Sequence, residues 1–380
     1  MSRRIRLGMV GGGQGAFIGA VHRIASRLDD KYELVAGAFS SDPEKSKASA
    51  AELHIAVDRA YGSYQEMAEA EAKRADKIDA VAIVTPNHLH YPQAKLFLEK
   101  GFHVICDKPL TTNVQDAEDL VALVKKSGLI FGLTHNYTGY PMVRQAREMV
   151  AAGDLGQIRL VQVEYPQDWM VTAVEKTGHR GAEWRTDPKK SGAGALGDIG
   201  SHAFNIASFV SGLTLSELAA DVSSMVEGRV VDDNVQVLLR FKGGAKGSLW
   251  ASQVATGHGN ALRLRVFGDK ASLFWEQEYP NDLHYNILGQ PPRLVVRNGA
   301  GSLPVAAHAS RVPGGHPEGY LEGFTQIYTD LAEQITAKLE GRAPKPEALL
   351  VPTVEHGLDG MRFIHACLES GEKNAGWVTF

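Results

Sequence analysis

Ile5-Arg6-Leu7-Gly8-Met9-Val10-Gly11-Gly12-Gly13-Gln14-Gly15-Ala16-Phe17-Ile18-Gly19 runs from a short apolar stretch straight into a glycine-rich turn, and the turn opens a segment of helical spacing. Glycines at a strand-to-helix turn let backbone N–H groups approach a pyrophosphate at the positive end of the helix. Gly11 and Gly13 fit the first two positions of the dinucleotide fingerprint. The sixth position is Ala16, and Gly19 follows three residues later, so the turn reads as longer than the standard one. The pattern predicts a dinucleotide site built from Gly11, Gly13, Gln14, Gly15, Ala16, Phe17 and Ile18.

Outward from that turn, strands and helices alternate. Strands are expected at 5–10, 33–39, 79–85, 102–106 and 129–134, with helices at 16–28, 88–100 and 113–127 and a further one opening at Asp42-Pro43. Near-continuous apolar strands in repeated βα units imply a parallel sheet covered on both faces. After residue 135 the texture changes. A helix at 142–152, a strand at 159–165 and a run of strands over 215–296 are followed by helices at 320–339 and 354–369. Hairpin turns are expected at 241–245 and 267–271. The expected architecture is an α/β Rossmann domain, 1–135, followed by an α+β domain, 136–380, with a large open, mostly antiparallel sheet. An open sheet of this size needs its own helices or a partner chain to cover it.

The chain has 380 residues, 44% apolar and 22% charged, and a formal charge of -4, which argues against a nucleic-acid footprint. Met1-Ser2-Arg3-Arg4 has the charge of a signal-peptide start, but Gly11 to Gly15 breaks the apolar run that follows. No later run reaches the ~18 apolar residues that a membrane span needs. Cys106 and Cys367 form neither a disulfide framework nor metal-ligand spacing, so the cytoplasm is the expected compartment and no metal is expected.

Three further motifs carry chemistry. Thr85-Pro86-Asn87, with His90 behind it, follows the third strand, and Asp107-Lys108-Pro109 follows the fourth. Both lie at carboxyl ends of parallel strands, the edge where open α/β sheets bind ligands. A lysine held there can stabilise negative charge developing on a substrate oxygen. Gly197-Asp198-Ile199-Gly200-Ser201-His202 opens a buried helix and sets a carboxylate and an imidazole four residues apart, on one face. Such a pair is suited to proton transfer near neutral pH; a capping Asp and a structural His are the plain alternative. At the end of the second strand, where an acid would hold the ribose of NAD, stand Ser40 and Ser41, so NAD and NADP both remain open.

The glycine-rich start, Thr85-Pro86-Asn87 with His90, Asp107-Lys108-Pro109 and Gly197-Asp198-x-Gly200-x-His202 occur together in an order that resembles the Gfo/Idh/MocA oxidoreductases, over essentially the whole chain. The resemblance implies that Lys108, Asp198 and His202 converge beside the nicotinamide. It makes His202 the acid/base, Lys108 the group polarising the reacting oxygen, and Asp198 a substrate contact that tunes the pair. It further implies cofactor contacts from Thr85, Pro86, Asn87, His90, Asp107 and Lys108, and a homodimer or homotetramer through the C-terminal sheet. Asp107 stands where the family commonly has Glu. The expected activity is hydride transfer at a ring secondary hydroxyl of an unphosphorylated polyol (a sugar, cyclitol or glycoside). A non-catalytic NAD(P)-binding sensor and a reductase of a non-sugar carbonyl or imine are the alternatives. Candidate substrate contacts are Asn136, Tyr165, Trp184, Arg185, His316 and Tyr320, because polyols pair aromatic faces with amides, carboxylates and guanidinium groups. Trp184 and Arg185 read equally well as a packed indole and an ion-paired arginine.

Overall fold

The computed structural model describes residues 3–380 and contains the two expected kinds of sheet. In the first, β1 (Ile5–Gly11), β2 (Tyr32–Ala38), β3 (Ala80–Val84), β4 (His103–Cys106) and β5 (Phe131–Leu133) lie in the order β2-β1-β3-β4-β5. Every pairing is parallel. β3 reads Ala-Val-Ala-Ile-Val and is buried at every position, as a strand covered on both faces must be. The connecting helices start where their caps predict. Asp42 accepts N–H bonds from Glu44 and Lys45 ahead of helix Pro43–Glu52, and Asn113 accepts from Asp116 ahead of Val114–Ser127.

The compact units are not two consecutive stretches. The first runs through Gly139 and takes up Tyr320–Leu358 again, while the second comprises Tyr140–Gly319 and Asp359–Phe380. A single cut between 135 and 136 therefore misplaces the helix Tyr320–Leu339. Its Phe324, Ile327, Tyr328, Leu331 and Ile335 join Ile5, Leu7, Met9 and Val21 in one core. Each such side chain contributes ~2 kcal/mol of burial, which sets this helix's allegiance. Polar pairs fix its register: His22 Nδ1 lies 2.7 Å from the Tyr328 hydroxyl, and the Tyr32 hydroxyl donates to the Tyr328 carbonyl at 2.8 Å.

The second sheet has nine strands: β6 (Ile158–Pro166), β7 (Leu215–Ser223), β8 (Asn234–Phe241), β9 (Lys246–Ser252), β10 (Arg263–Gly268), β11 (Ala271–Glu276), β12 (Asp282–Ile287), β13 (Arg293–Val296) and β14 (Val378–Thr379). Their order is β13-β12-β11-β10-β6-β9-β8-β7-β14, antiparallel throughout except for β6 beside β9. The hairpins at 241–245 and 267–271 join β8 to β9 and β10 to β11. β8 and β11 alternate buried and more open positions, so one face is core and the other is not. Leu160, Leu238 and Leu294 stand exposed on this sheet.

Four buried histidines of the first unit give it a definite acid response, His90 among them with its pKa lowered by burial. Burial lowers His22 and His103 to about 4 and His135 to about 3. His103 Nδ1 accepts the Ile130 N–H at 3.0 Å, which requires the unprotonated nitrogen. The unfolded chain binds these protons near pH 6.5, whereas the folded chain binds them only at lower pH, about 4 for His22 and His103. Stability is therefore complete above pH 6.5 and falls as the pH drops toward 4. Urea midpoints measured from pH 7 to 4.5 should show uptake approaching four protons on unfolding, His90 included. A flat profile over that range contradicts the assignment.

Candidate functional site

In the first unit, strand order brings three sequence motifs to one edge. β1 has β2 on one side and β3 on the other, the switch point at which such sheets bind ligands. Gly11 ends β1 opposite Val84 of β3, and β4 lies next to β3. The glycine turn, Thr85–Asn87 and Asp107–Pro109 are thus neighbouring strand ends.

Gly19, outside the fingerprint spacing, provides the close strand–helix contact. A Cβ on Gly12 would lie 2.8 Å from the Gly19 Cα, and one on Gly19 would strike the Gly12 backbone. This approach lets helix Phe17–Leu28 begin hard against the end of β1. No side chain caps that helix, and its first turn holds no acid, so its positive end is open to an anion. The turn is braced from below. Gly13 N–H donates to the Phe39 carbonyl at 3.2 Å, and Gln14 N–H to Ser49 Oγ at 3.1 Å. Arg23 donates to the Gly12 carbonyl at 2.6 Å and borders the same depression as Gln14, Gly15, Phe17 and Ser49. A nucleotide pyrophosphate fits this cradle by charge and by backbone access. Ser40 and Ser41 follow β2; Ser40 Oγ accepts the Asp42 N–H at 3.1 Å, and Ser41 is exposed.

His90 is fully buried, and its ring nitrogens lie 2.8 Å from the Pro109 carbonyl and 2.9 Å from the Thr85 carbonyl. It therefore staples the Thr85 loop to the lysine loop, rather than presenting a free nitrogen to a cofactor or a metal. Asp107 accepts the N–H of Lys108 and the hydroxyl of Thr134, both at 2.9 Å. Lys108, half-buried, precedes Pro109 through a cis peptide bond. Asn136 is buried in the short turn Asn136–Gly139, and Tyr320 packs its ring on Phe324.

In the second unit, Leu196–Gly200 is a π-helical turn continuing directly into helix Ser201–Ser211. The Ser201 N–H reaches back five residues to the Leu196 carbonyl. A π-turn is rare and recurs at functional sites. Asp198 lies in the turn and His202 just beyond it, buried. Asp198 Oδ2 accepts from Arg185 Nε at 3.2 Å and from Gln253 Nε2 at 2.9 Å. The Arg185 guanidinium also lies over the Trp184 ring, 4.4 Å from its centroid. Arg185 is thus the ion-paired arginine of the two readings left open, and it orients Asp198. Tyr165 is buried with its hydroxyl on Asn260 Oδ1 at 2.7 Å, and its ring meets His202 edge-on at 6.3 Å. It backs the imidazole. His316 is exposed, and its carbonyl accepts from Arg297.

Gln253 and Asn260 escaped the sequence reading. Both sit just beyond or between strands, with no neighbouring signal beyond an amide in a loop. Among the described residues, no group of three or more His, Cys, Asp or Glu side chains is arranged to hold a metal ion.

Comparison with known proteins agrees with both units. Residues 5–135 match the oxidoreductase family with the NAD-binding Rossmann fold, and residues 143–274 match the GFO/IDH/MocA C-terminal domain. An oxidoreductase of known structure from Sinorhizobium meliloti is 54% identical, with 99% of this chain and 100% of that one covered and a TM-score of 0.91. An inositol dehydrogenase homologue from Azotobacter vinelandii, complexed with NADH and myo-inositol, is 34% identical over 100% of this chain and 98% of its own, with a TM-score of 0.92. The levoglucosan dehydrogenase of Pseudarthrobacter phenanthrenivorans is 27% identical over 74% of this chain and 76% of its length.

The Gly12–Gly19 contact yields a direct test. Gly19→Ala forces the helix off the strand end, so affinity for NADH and NADPH should fall at least tenfold by calorimetric titration. The accompanying loss of stability should be about 1–3 kcal/mol. Unchanged affinity would mean that this contact does not shape the nucleotide site.

Proposed function

This chain belongs to the GFO/IDH/MocA family of NAD(P)-dependent oxidoreductases, and we propose that it transfers a hydride between the nicotinamide and a ring secondary hydroxyl of an unphosphorylated sugar, cyclitol or glycoside. One observation carries the proposal: Lys108, in the loop that follows β4, accompanies a carboxylate and an imidazole four residues apart where a braced helical turn runs into its helix. Oxidising an alcohol needs a base for the hydroxyl proton and a positive charge for the alkoxide character that develops, and this set supplies both. The relatives complexed with or named for myo-inositol and levoglucosan support a ring polyol.

The cofactor is NAD or NADP; Gly11, Gly13 and the Gln14–Ile18 helix start would hold its pyrophosphate, Ser40 and Ser41 would contact it after β2, and Thr85–Asn87 would contact it after β3. When bound, it supplies the hydride acceptor or donor. His202 takes the hydroxyl proton in oxidation and returns it in reduction. Lys108 donates to the same oxygen and stabilises its negative charge. Asp198, held by Arg185 and Gln253, keeps a carboxylate beside the base. Trp184 offers an aromatic face to the C–H surface of the ring. The exposed apolar residues Leu160, Leu238 and Leu294 support a homodimer or homotetramer through the second sheet. Both cysteines are free and buried, in keeping with a cytoplasmic protein.

Two variants test the assignment. Lys108→Ala should lower turnover ~100-fold or more while nucleotide affinity stays within about threefold of wild type, as steady-state rates and calorimetry report. Turnover within a few-fold removes the lysine from the chemistry. His202→Ala should erase the near-neutral limb of the pH–rate profile; an unchanged limb assigns the base elsewhere.

A further inference from the structure

The helical segment beginning at Leu196 has no capping side chain of its own, and Gly192-Ala193-Gly194-Ala195 has none to offer. Backbone N–H groups at a helix start have no partner inside the helix. Here one distant residue collects three consecutive ones. The Asp232 carboxylate accepts the Gly194 N–H at 2.7 Å through Oδ1 and the Leu196 N–H at 2.6 Å through Oδ2. Its main-chain carbonyl accepts the Ala195 N–H at 2.9 Å. The approach is so close that a Cβ at position 194 would collide with that carbonyl, so the glycine is required. Burial pushes the Asp232 carboxyl above its ordinary range, and the two N–H donors pull it back. A carboxylate at a helix N-terminus is also favoured by the helix dipole.

The next residue extends the brace. Asp233 accepts from the N–H groups of Met225 and Val226 and from Arg229 at 3.0 Å. Buried Arg229 donates onward to the Met170 and Thr172 carbonyls and to Glu175. The Asp233 carbonyl accepts the N–H of Gln253, whose side chain holds Asp198. Adjacent residues thus govern the backbone beneath Asp198 and the amide that grips its carboxylate.

Resting on the assignment of Asp198 and His202 to proton handling, we propose that Asp232 is the positioning residue of that pair. Its carboxylate sets the backbone of the π-turn Leu196–Gly200, and through it the directions in which both side chains leave the helix. Asp232→Asn is the informative change, because an amide accepts one of the two N–H groups and turns its own N–H toward the other.

The full-length variant should bind NADH within about twofold of wild type. The titration midpoint of the His202 ring, followed by NMR and assigned with His202→Gln, should move by at least half a pH unit. Turnover of a myo-inositol and levoglucosan panel should drop at least tenfold in kcat, more than in KM. A His202 midpoint unmoved in a folded variant overturns the proposal. Should the variant not fold, amide exchange in the wild-type protein decides. Gly194 and Leu196 N–H groups protected at least 100-fold over unstructured chain support the cap, and rapid exchange of either refutes it. Failure of the dehydrogenase assignment shows differently, as wild-type protein without nucleotide-dependent turnover.

Discussion

Backbone N–H groups at the start of a helix must find partners outside it, and the two units meet that obligation in opposite ways. Helix Phe17–Leu28 starts uncapped, free of acids, and pressed onto the end of β1 by the Gly12–Gly19 contact. A pyrophosphate at the proposed site would complete it. The segment starting at Leu196 is completed internally by Asp232. One helix end is thereby open to the phosphate of the proposed cofactor site, and the other is a mount for side chains. Ligand binding and preorganisation follow from the same unmet hydrogen bonds.

Rigidity in the second unit is a matter of distributed polar contacts. Asp198 is held from its backbone by the capped turn and from its side chain by Arg185 and Gln253, while Tyr165, anchored on Asn260, backs His202. A carboxylate gripped by two donors is preorganised for the role proposed for it beside His202. In the first unit, His90 performs the comparable service for the loops bearing Thr85 and Lys108.

Much of this was legible in the sequence, and what was not has physical reasons. Continuous apolar strands announced the parallel sheet, and alternation with Gly-Gly and Gly-Asp turns announced the second one. The helix Tyr320–Leu339 was readable to the residue, but its partner was not, because an amphipathic period says that a face is buried and not against what. Gly19 replaces the usual fingerprint position because packing requires a missing Cβ at the point of contact, not at a fixed count. Asp232 was invisible for another reason: local pattern reveals caps within a few residues, and this one arrives from 36 residues downstream. Arg185 reads from the sequence equally well as a substrate contact and as an ion-paired arginine, and its pairing with Asp198 required coordinates.

The central claim is hydride exchange with a ring alcohol, and isotope transfer tests it most directly. Ring-deuterated myo-inositol and levoglucosan would be incubated in turn with the protein and NAD or NADP. Deuterium at C4 of the reduced nicotinamide, stereospecific and absent with Lys108→Ala, is the predicted result. Tight nucleotide binding with no deuterium transferred from these or any other cyclitol, sugar or glycoside would contradict the account.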